Sequence, residues 1–474
     1  MWGQTVFLGM EDDAFFYCRI ADSFVSEGFL SFDGLTATNG FHPLWMALLV
    51  LIRCVAGGGT GFLVAAVTLS AVLMGVCGYL FLARSSRYSL PVVLLTYLFL
   101  LRYIRDFSLM CMETSVLLPL AFLLLLRSDS VTIDSRRNLW ANGVLASLIF
   151  LSRLDSVLLL VPLVIILLMK TGRKGAAPLL IPGLAAVAAY LTANLVSMGT
   201  PFSVSGMMKA SGFGWNSLFA GQLFAMSDPL GMRSPWGLYL FLLVLAFFVV
   251  FMKEKPRSAY ASAIFLIGFT FVQLFMSQWR LWYWYAYPAV VFLAFGVPPL
   301  LQGVYRRISL SSRAESMVSA LLLTVVVILS VYWGISYGRI PEDDFRYRNM
   351  LIAIEMNELL PDSSIVAMGD RAGSFAYFFH GHVIQAEGLA GDVQLVRAIR
   401  SGNLEEYLSD AGCGYILSWT GPHMVEDYDI WELRIPDPAQ CRVYGNAIEV
   451  FKENEILRWP GEDLSVFLWR LNES

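Results

Sequence analysis

The sequence predicts an all-α polytopic membrane protein with a small α/β domain at its C-terminus. The chain has 474 residues, of which 57% are hydrophobic and only 15% are charged, a composition too apolar for a soluble protein. Apolar runs recur up to Ser336, whereas Tyr337 to Ser474 has ordinary globular composition and enough length for one domain. We therefore expect two domains, 1–336 and 337–474.

Apolar runs of suitable length divide the first domain into membrane spans. A hydrocarbon core about 30 Å thick needs roughly 20 apolar residues, and fewer where protein shields the helix. By this criterion the sequence contains ten candidate spans: Phe62–Ala83, Leu90–Tyr103, Thr114–Leu126, Leu139–Leu151, Val157–Met169, Ala176–Met198, Trp236–Met252, Ala259–Met276, Leu281–Leu301 and Met317–Ile335.

Basic residues at every second connection predict the orientation of these spans, because cytoplasmic loops retain Lys and Arg. They are Arg84/Arg87, Arg127/Arg136/Arg137, Lys170/Arg173/Lys174, Lys253/Lys255/Arg257 and Arg306/Arg307/Arg313. The segments between them, which include loops 1–61 and 199–235 and the C-terminal domain, are then exoplasmic. The net charge of −4 and the lack of a basic run interleaved with aromatic residues argue against a nucleic-acid partner.

The segment from His42 to Ala56 resembles a short span that begins with Pro43 in its first turn. If it crossed the membrane, Asp12 and Asp13 would be cytoplasmic, or the alternation of charge would fail at every later loop. We therefore predict a helix of about 14 residues at the exoplasmic surface, since this length is short of a full span.

Two adjacent carboxylates, Asp12 and Asp13, begin an amphipathic helix in which Phe16, Ile20 and Phe24 recur at four-residue spacing. An Asp at this position is also typical of a helix N-cap, but a cap needs one carboxylate, and a second one repels the first. At a membrane surface such a pair indicates a general base or a cation site.

Further polar residues of the predicted outer face are candidates for a site. The turn dipeptides Asp33-Gly34 and Asn39-Gly40 fold the loop that holds Asn39 and His42 near the membrane. The other candidates are Glu113 at the start of a span, the pair Arg153 and Asp155, Lys209, and Arg280 within an aromatic cluster. Each has a structural alternative: a dipole partner for Glu113, an ion pair in a turn, a solvated lysine, and an interfacial aromatic belt.

Several motifs together resemble the GT-C superfamily of polyprenyl-phosphate-sugar-dependent glycosyltransferases. The run from Asp12 to Trp45 is similar to its first exoplasmic loop, in particular that of bacterial relatives of protein O-mannosyltransferases, lipid A aminoarabinose transferases and mycobacterial arabinofuranosyltransferases. The other matching motifs are Met112-Glu113-Thr114, Gly199-Thr200-Pro201 followed by Lys209, and Gly369-Asp370-Arg371-Ala372-Gly373 with Tyr377-Phe378 and Glu387-Gly388-Leu389. The superfamily also has a span before this loop, whereas only Trp2 to Leu8 precede the carboxylates here. Either that helix lies outside the given sequence, or the N-terminus begins outside the cell without a signal.

The resemblance implies an enzyme of the bacterial cytoplasmic membrane, active in the cell envelope, that transfers a sugar from polyprenyl phosphate to a hydroxyl of a lipid, glycan or protein at the exoplasmic face. It assigns Asp12 as the catalytic base and Asp13 as its acidic neighbour, and a single displacement would invert the anomeric carbon. Lys209, Arg153 and Arg280 are candidates for binding the donor phosphate. Glu113, Asn39, His42 and Asp155 are candidates for positioning the substrate. We predict no cofactor, with a divalent cation at Asp12 and Asp13 as the alternative.

Other function classes fit the sequence less well. A transporter or flippase for a lipid-linked saccharide would place ionisable residues at mid-membrane on broken helices, often in inverted halves. A scaffold or receptor would leave the Asp pair, Glu113 and Lys209 without a role. In the C-terminal domain, Cys413 and Cys441 are either a disulfide or two unpaired thiols.

Overall fold

The computed structural model describes residues 6–130, 135–210, 212–224, 235–253, 255–308, 310–336, 344–419, 423–424, 430–460 and 465–471. Sixteen α-helices precede the first strand: α1 Asp12–Glu27, α2 Pro43–Ala56, α3 Gly59–Arg84, α4 Leu90–Met110, α5 Thr114–Ser128, α6 Arg136–Ser152, α7 Val157–Thr171, α8 Arg173–Met198, α9 Val204–Lys209, α10 Ser217–Phe224, α11 Pro235–Phe251, α12 Arg257–Phe275, α13 Tyr287–Phe295, α14 Val297–Ile308, α15 Ser312–Ser336 and α16 Phe345–Leu359. Parts of the predicted loops 1–61 and 199–235 and the predicted domain boundary at Tyr337 lie outside these ranges.

All ten predicted spans overlap helices. Six helical segments are long and apolar enough to cross a membrane, judged over the residues just given: Gly59–Arg87, Leu154–Thr171, Arg173–Met198, Arg257–Phe275, Tyr283–Ile308 and Ser312–Gly334. Shorter apolar helices are Pro43–Ala56, Thr114–Ser128 and Trp236–Phe251. The predicted surface segment at His42 is therefore a helix that begins at Pro43, and its position relative to a membrane stays a prediction.

The basic connections meet at one end of the helical bundle. Arg84 donates to Asp129 over 3.3 Å and to the Ser258 hydroxyl over 3.0 Å, and Arg257 donates to the Ser128 carbonyl over 2.5 Å. These contacts join three of the five connections that the charge pattern assigns to one side. Their common location fits the predicted alternation, while the identity of that side stays a prediction.

Small residues allow close helix packing in the bundle. A Cβ atom on Gly143 of α6 would lie 2.1 Å from the Pro178 carbonyl oxygen of α8. Only glycine lets the two backbones approach this closely, as is common between membrane helices.

The C-terminal region is an α/β domain, as predicted. Helices α17 Ala372–Phe378, α18 Val393–Ser401 and α19 Leu404–Asp410 alternate with β1 Ile365–Met368, β2 His382–Gln385 and β3 Tyr415–Ser418. The later strands are β4 His423–Met424, β5 Ile430–Ile435, β6 Asn446–Phe451, β7 Glu455–Trp459 and β8 Val466–Arg470. One sheet has the order β2-β1-β3-β8-β7, and a second has the order β4-β5-β6. Strand β1 is parallel to β2 and β3, and the remaining pairs are antiparallel.

The sequence predicted strands at Ser364–Met368 and Tyr415–Trp419, which overlap β1 and β3, and missed the other strands. Strand β2 has only four residues, and β6 and β7 alternate with exposed or half-exposed residues, so none of these three has a long apolar run. Cys413 and Cys441 are both free thiols. Cys413 lies beside β3, whereas Cys441 pairs through its backbone with Trp279 of the helical domain. The alternative of two unpaired thiols is therefore the one observed.

Asp12 joins the helical domain to the C-terminal domain. Neither Asp of the pair caps its own helix, because Glu11 occupies the N-cap of α1 without a side-chain hydrogen bond. Asp12 instead accepts from the Gly373 amide (2.7 Å), the Ser374 amide (2.8 Å) and the Ser374 hydroxyl (2.6 Å) at the start of α17. A carboxylate there satisfies amides that have no partner within the helix.

Aromatic packing extends this contact between the two domains, which we call the α1–α17 junction. Phe15 lies 6.0 Å from Tyr377 in an edge-to-face arrangement, and Phe7 lies 5.9 Å from Phe378 between ring centroids. The Tyr377 hydroxyl donates to the Gly59 carbonyl over 3.1 Å. The C-terminal domain is thus fixed on the N-terminal helix that carries Asp12 and Asp13.

Replacing Gly373 by Ala should loosen the α1–α17 junction. A Cβ atom there would lie 2.1 Å from the Asp12 carbonyl oxygen, a backbone atom that cannot move aside easily. We expect a loss of about 1–3 kcal/mol, seen as a lower thermal unfolding midpoint of the purified protein in detergent and faster protease cleavage between the domains. Gly414→Ala is the matched control, because no atom lies within 4 Å of its added Cβ. Equal midpoints for the two variants would contradict the described junction.

Candidate active site

A cavity of about 450 Å³ lies where the helical domain meets the C-terminal domain. Its polar lining includes residues from many parts of the chain: Glu11, Asp12 and Asp13; His42; Arg153 and Asp155; Ser205 and Lys209; Gln273 and Arg280; Asp370 and Arg371; Glu387; and Gln440. Seven of the predicted site residues are among them. The structure therefore brings together groups that are far apart in sequence.

Asp12 and Asp13 differ in their hydrogen bonding. Both oxygens of Asp12 are occupied by Gly373 and Ser374, whereas no described residue donates a hydrogen bond to Asp13. Burial raises the pKa of Asp12, against the effect of those hydrogen bonds. Burial also raises the pKa of Asp13 to about 7; Lys209 opposes this shift, and the neighbouring carboxylates add to it. Asp13 is therefore the carboxylate that is free to exchange a proton near neutral pH.

Glu11 is the third carboxylate at this end of the cavity. Burial raises its pKa to about 7, while the Arg346 guanidinium lowers it. Arg346 also donates to the Met10 carbonyl over 2.6 Å and forms an ion pair with Asp344. The end of the cavity therefore carries two carboxylates that titrate in the same range.

Arg153 is buried and fully engaged. Its side chain is 3% exposed, forms a short hydrogen bond with Glu113 and donates to Asp155 over 3.0 Å. The guanidinium also lies over the rings of Tyr285 and Tyr287, 4.7 and 4.6 Å from their centroids. The ion pair with Asp155, which the sequence analysis gave as the structural alternative, is thus present. Through its other contacts Arg153 also holds Glu113 and Tyr285 in place.

Glu113, His42 and Asp13 line a second cavity of about 50 Å³. One Glu113 oxygen has no hydrogen-bond partner, and the other is 3.9 Å from His42 Nε2. Burial lowers the pKa of His42, against the effect of Glu113. The lowered pKa favours a neutral His42 at pH 7.

Lys209 reaches the cavity from the end of α9. Its Nζ donates to the Tyr285 hydroxyl over 2.8 Å, and its charge acts on Asp13. Burial lowers the pKa of Lys209, whereas Tyr285 and Asp13 raise it by more, so that the net shift is upward. Lys209 is accordingly charged at neutral pH.

Asn39 does not line either cavity and is only 6% exposed. Its side-chain oxygen accepts from the Val204 amide over 2.9 Å, and its amide group donates to the Phe202 carbonyl over 3.1 Å. Because α9 begins at Val204, Asn39 fixes the helix that carries Lys209. Its predicted role in substrate positioning is not tested by these contacts, which hold the start of α9.

Arg280 is exposed at the opposite wall. Its guanidinium lies 5.5 Å from the Trp282 ring centroid, and its backbone amide donates to the Gln440 carbonyl over 2.8 Å. Among the described residues it has no carboxylate within ion-pair distance. Arg280 is therefore a cation available to a ligand.

The sequence missed the wall that the C-terminal domain supplies. Asp370 and Arg371 belong to the turn after β1, which the sequence analysis named among the motifs of the resemblance without assigning either residue to the site. Arg371 has a positive φ of 64° and lies between the rings of Phe345 and Trp419, 4.8 and 5.0 Å from their centroids. The charged pair Asp370 and Arg371 inside a turn flanked by Gly369 and Gly373 was the sequence feature that could have indicated a site here.

The described residues do not form a metal site. No group of three or more His, Cys, Asp or Glu side chains among them is placed to hold an ion. The oxygens of Asp12 already accept three hydrogen bonds. We therefore derive no step through a divalent cation, and the cofactor prediction stays a prediction.

Comparisons with known proteins identify the fold. No family model and no curated protein matches the sequence. The crystal structure of ArnT from Cupriavidus metallidurans bound to undecaprenyl phosphate aligns over 88% of this chain and 91% of that chain, with 13% sequence identity and a TM-score of 0.54. The apo state of the same ArnT aligns over 88% and 90%, with 12% identity and a TM-score of 0.49. The first likeness confirms the fold that the GT-C resemblance predicts.

Two arginines of the cavity should differ in their effect on stability. Arg153→Ala leaves Glu113 and Asp155 without their shared partner and should cost about 3–5 kcal/mol of folding free energy, because uncompensated charges stay buried. Arg280→Ala removes an exposed side chain without a carboxylate partner and should change stability by roughly 0.5 kcal/mol or less. Thermal unfolding in detergent measures both. A midpoint of Arg153→Ala equal to that of Arg280→Ala would contradict the described ion network.

Proposed function

We propose that this protein is a membrane glycosyltransferase that takes a sugar from a polyprenyl-phosphate carrier and transfers it to a hydroxyl group. The observation that carries this proposal is that one cavity is lined by Asp13, a carboxylate to which no described residue donates a hydrogen bond, and by the cations Lys209 and Arg280. The ArnT-like fold supports it, since ArnT was crystallised with undecaprenyl phosphate. The acceptor hydroxyl belongs to a lipid, glycan or protein, and the active face is exoplasmic.

Asp13 is the proposed general base. In the transfer, the acceptor oxygen bonds to the anomeric carbon, the bond from that carbon to the phosphate oxygen breaks, and the acceptor proton passes to Asp13. A single displacement of this kind inverts the anomeric centre and needs no nucleophilic carboxylate. Asp12, which the family pattern marks as the base, is occupied at α17, so its proposed role is to fix the position of Asp13.

Lys209 and Arg280 are the proposed ligands of the donor phosphate. The departing phosphate monoester gains negative charge, so nearby cations stabilise the transition state. Lys209 is also close enough to Asp13 to favour its ionised form. Arg153 is paired with Glu113 and Asp155, so its proposed role is to position Lys209 rather than to bind phosphate. It lies over the ring of Tyr285, whose hydroxyl accepts from Lys209.

The cavity is accessible to a lipid-linked substrate. Val272 and Met276 at the end of one candidate span line it, as do Leu281 and Trp282 just before the next. Nearby Phe213 and Trp215 are 78% and 54% exposed, as is common for aromatic side chains at a membrane interface. A carrier whose chain stays in the bilayer could thus present its phosphate to Lys209 and Arg280.

Asp13→Asn tests the assigned base. In liposomes supplied with a labelled panel of polyprenyl-phosphate-linked hexoses and pentoses and a membrane lipid extract, we expect transfer to fall about 10²- to 10⁴-fold. Asp12→Asn is the matched control: it should lower the unfolding midpoint through the α1–α17 junction but keep more transfer per folded molecule. The reverse ranking would make Asp12 the base. Wild-type protein that transfers no label from any donor of the panel, and binds none, would overturn the proposed function.

The transfer rate should rise with pH through about 7. The pKa of Asp13 is raised to about 7, so the carboxylate is protonated and inactive below this pH and ionised above it. Below the midpoint the rate should fall about tenfold per pH unit. Glu11 titrates in the same range, so the profile of Glu11→Gln separates the two groups. A profile that is flat from pH 5 to 8 in the wild-type protein would contradict the role of Asp13.

A further inference from the structure

Glu387 is a buried carboxyl group with one unused oxygen. Its side chain is 4% exposed, and its Oε2 accepts from Gln385 Nε2 over 3.3 Å, while Oε1 has no hydrogen-bond partner. Gln385 is itself fixed, because its side-chain oxygen accepts from the Leu389 amide over 2.8 Å. Glu387 is therefore held in one orientation, and an unsatisfied buried oxygen of this kind is costly unless a ligand completes it.

The surroundings of Glu387 are acidic. It lines the large cavity together with Asp13 and Asp370, and the charged groups that act on it are Asp370, Asp13 and Asp437. Burial, together with these carboxylates, raises the pKa of Glu387 well above its ordinary value. A neutral carboxyl group has one donor and one acceptor, which match a sugar hydroxyl or a pair of neighbouring hydroxyls.

We propose that Glu387 forms a hydroxyl-binding subsite in the wall that the C-terminal domain contributes to the cavity. This inference rests on the proposed function and extends it to the group that is recognised. The ligand is a polyol, and it belongs either to the transferred sugar or to the acceptor. Because Asp13 lines the same cavity, a hydroxyl-rich ligand held by Glu387 would be positioned near the base.

Two substitutions of Glu387 separate hydrogen bonding from charge. Glu387→Gln keeps a neutral donor and acceptor, so KM for both substrates should stay within about threefold of the wild-type values. Glu387→Met fills a similar volume without either group, and should raise KM for one substrate about 10- to 100-fold. Glu405→Gln, at an exposed carboxylate of the same domain, is the control that should leave both values unchanged.

The donor of the labelled panel that the wild-type protein uses fastest serves as the probe, with membrane lipid extract as the acceptor. Slower release of label to water without acceptor, together with a raised donor KM in Glu387→Met, assigns the subsite to the transferred sugar. A raised acceptor KM alone assigns it to the acceptor.

Unchanged KM values in a folded Glu387→Met protein overturn this inference while the proposed function stands. A Gln variant as impaired as the Met variant also overturns it, because ionic pairing would then be required. A wild-type protein that neither transfers nor binds label from any donor of the panel overturns both proposals.

Discussion

The hydrogen bonds from α17 to Asp12 are the constraint on which the cavity depends. They connect the first helix of the described chain to the C-terminal domain across 361 and 362 positions of sequence. A charged acceptor on helix amides is stronger than a neutral one, and burial excludes competing water. Since Asp13 follows directly, the same contact sets where its carboxylate lies relative to Lys209 and Glu387.

Charged groups of both signs line the cavity. In the helical domain, Arg153 is neutralised by Glu113 and Asp155, and Lys209 is held by Tyr285. The C-terminal domain adds Arg371, which lies 3.5 Å from Asp370, and the carboxyl group of Glu387. Such a lining suits a substrate that carries both an anionic phosphate and hydroxyl groups.

Much of the architecture could be predicted from the sequence, because apolar runs and basic connections follow directly from the cost of placing charge in a bilayer. The positions of Asp13, His42, Arg153 and Lys209 around one cavity were also within reach. The hydrogen-bond partners of these groups could not be predicted. The sequence around Asp12 does not show that it accepts from α17, and the sequence around Arg153 does not show that it pairs with both Glu113 and Asp155. Glu387 belongs to a motif of the resemblance, but its proposed role could not be predicted, since that role depends on burial beside carboxylates of distant segments.

The length of chain between Asp12 and its partners also has a consequence for biosynthesis. At about 5–20 residues per second, the ribosome needs roughly 20 to 70 s to proceed from Asp12 to Gly373. During that interval the helical bundle inserts while Asp12 lacks its partners on α17. Completion of the cavity is thus a late event in the synthesis of each molecule, and incomplete chains would lack it altogether.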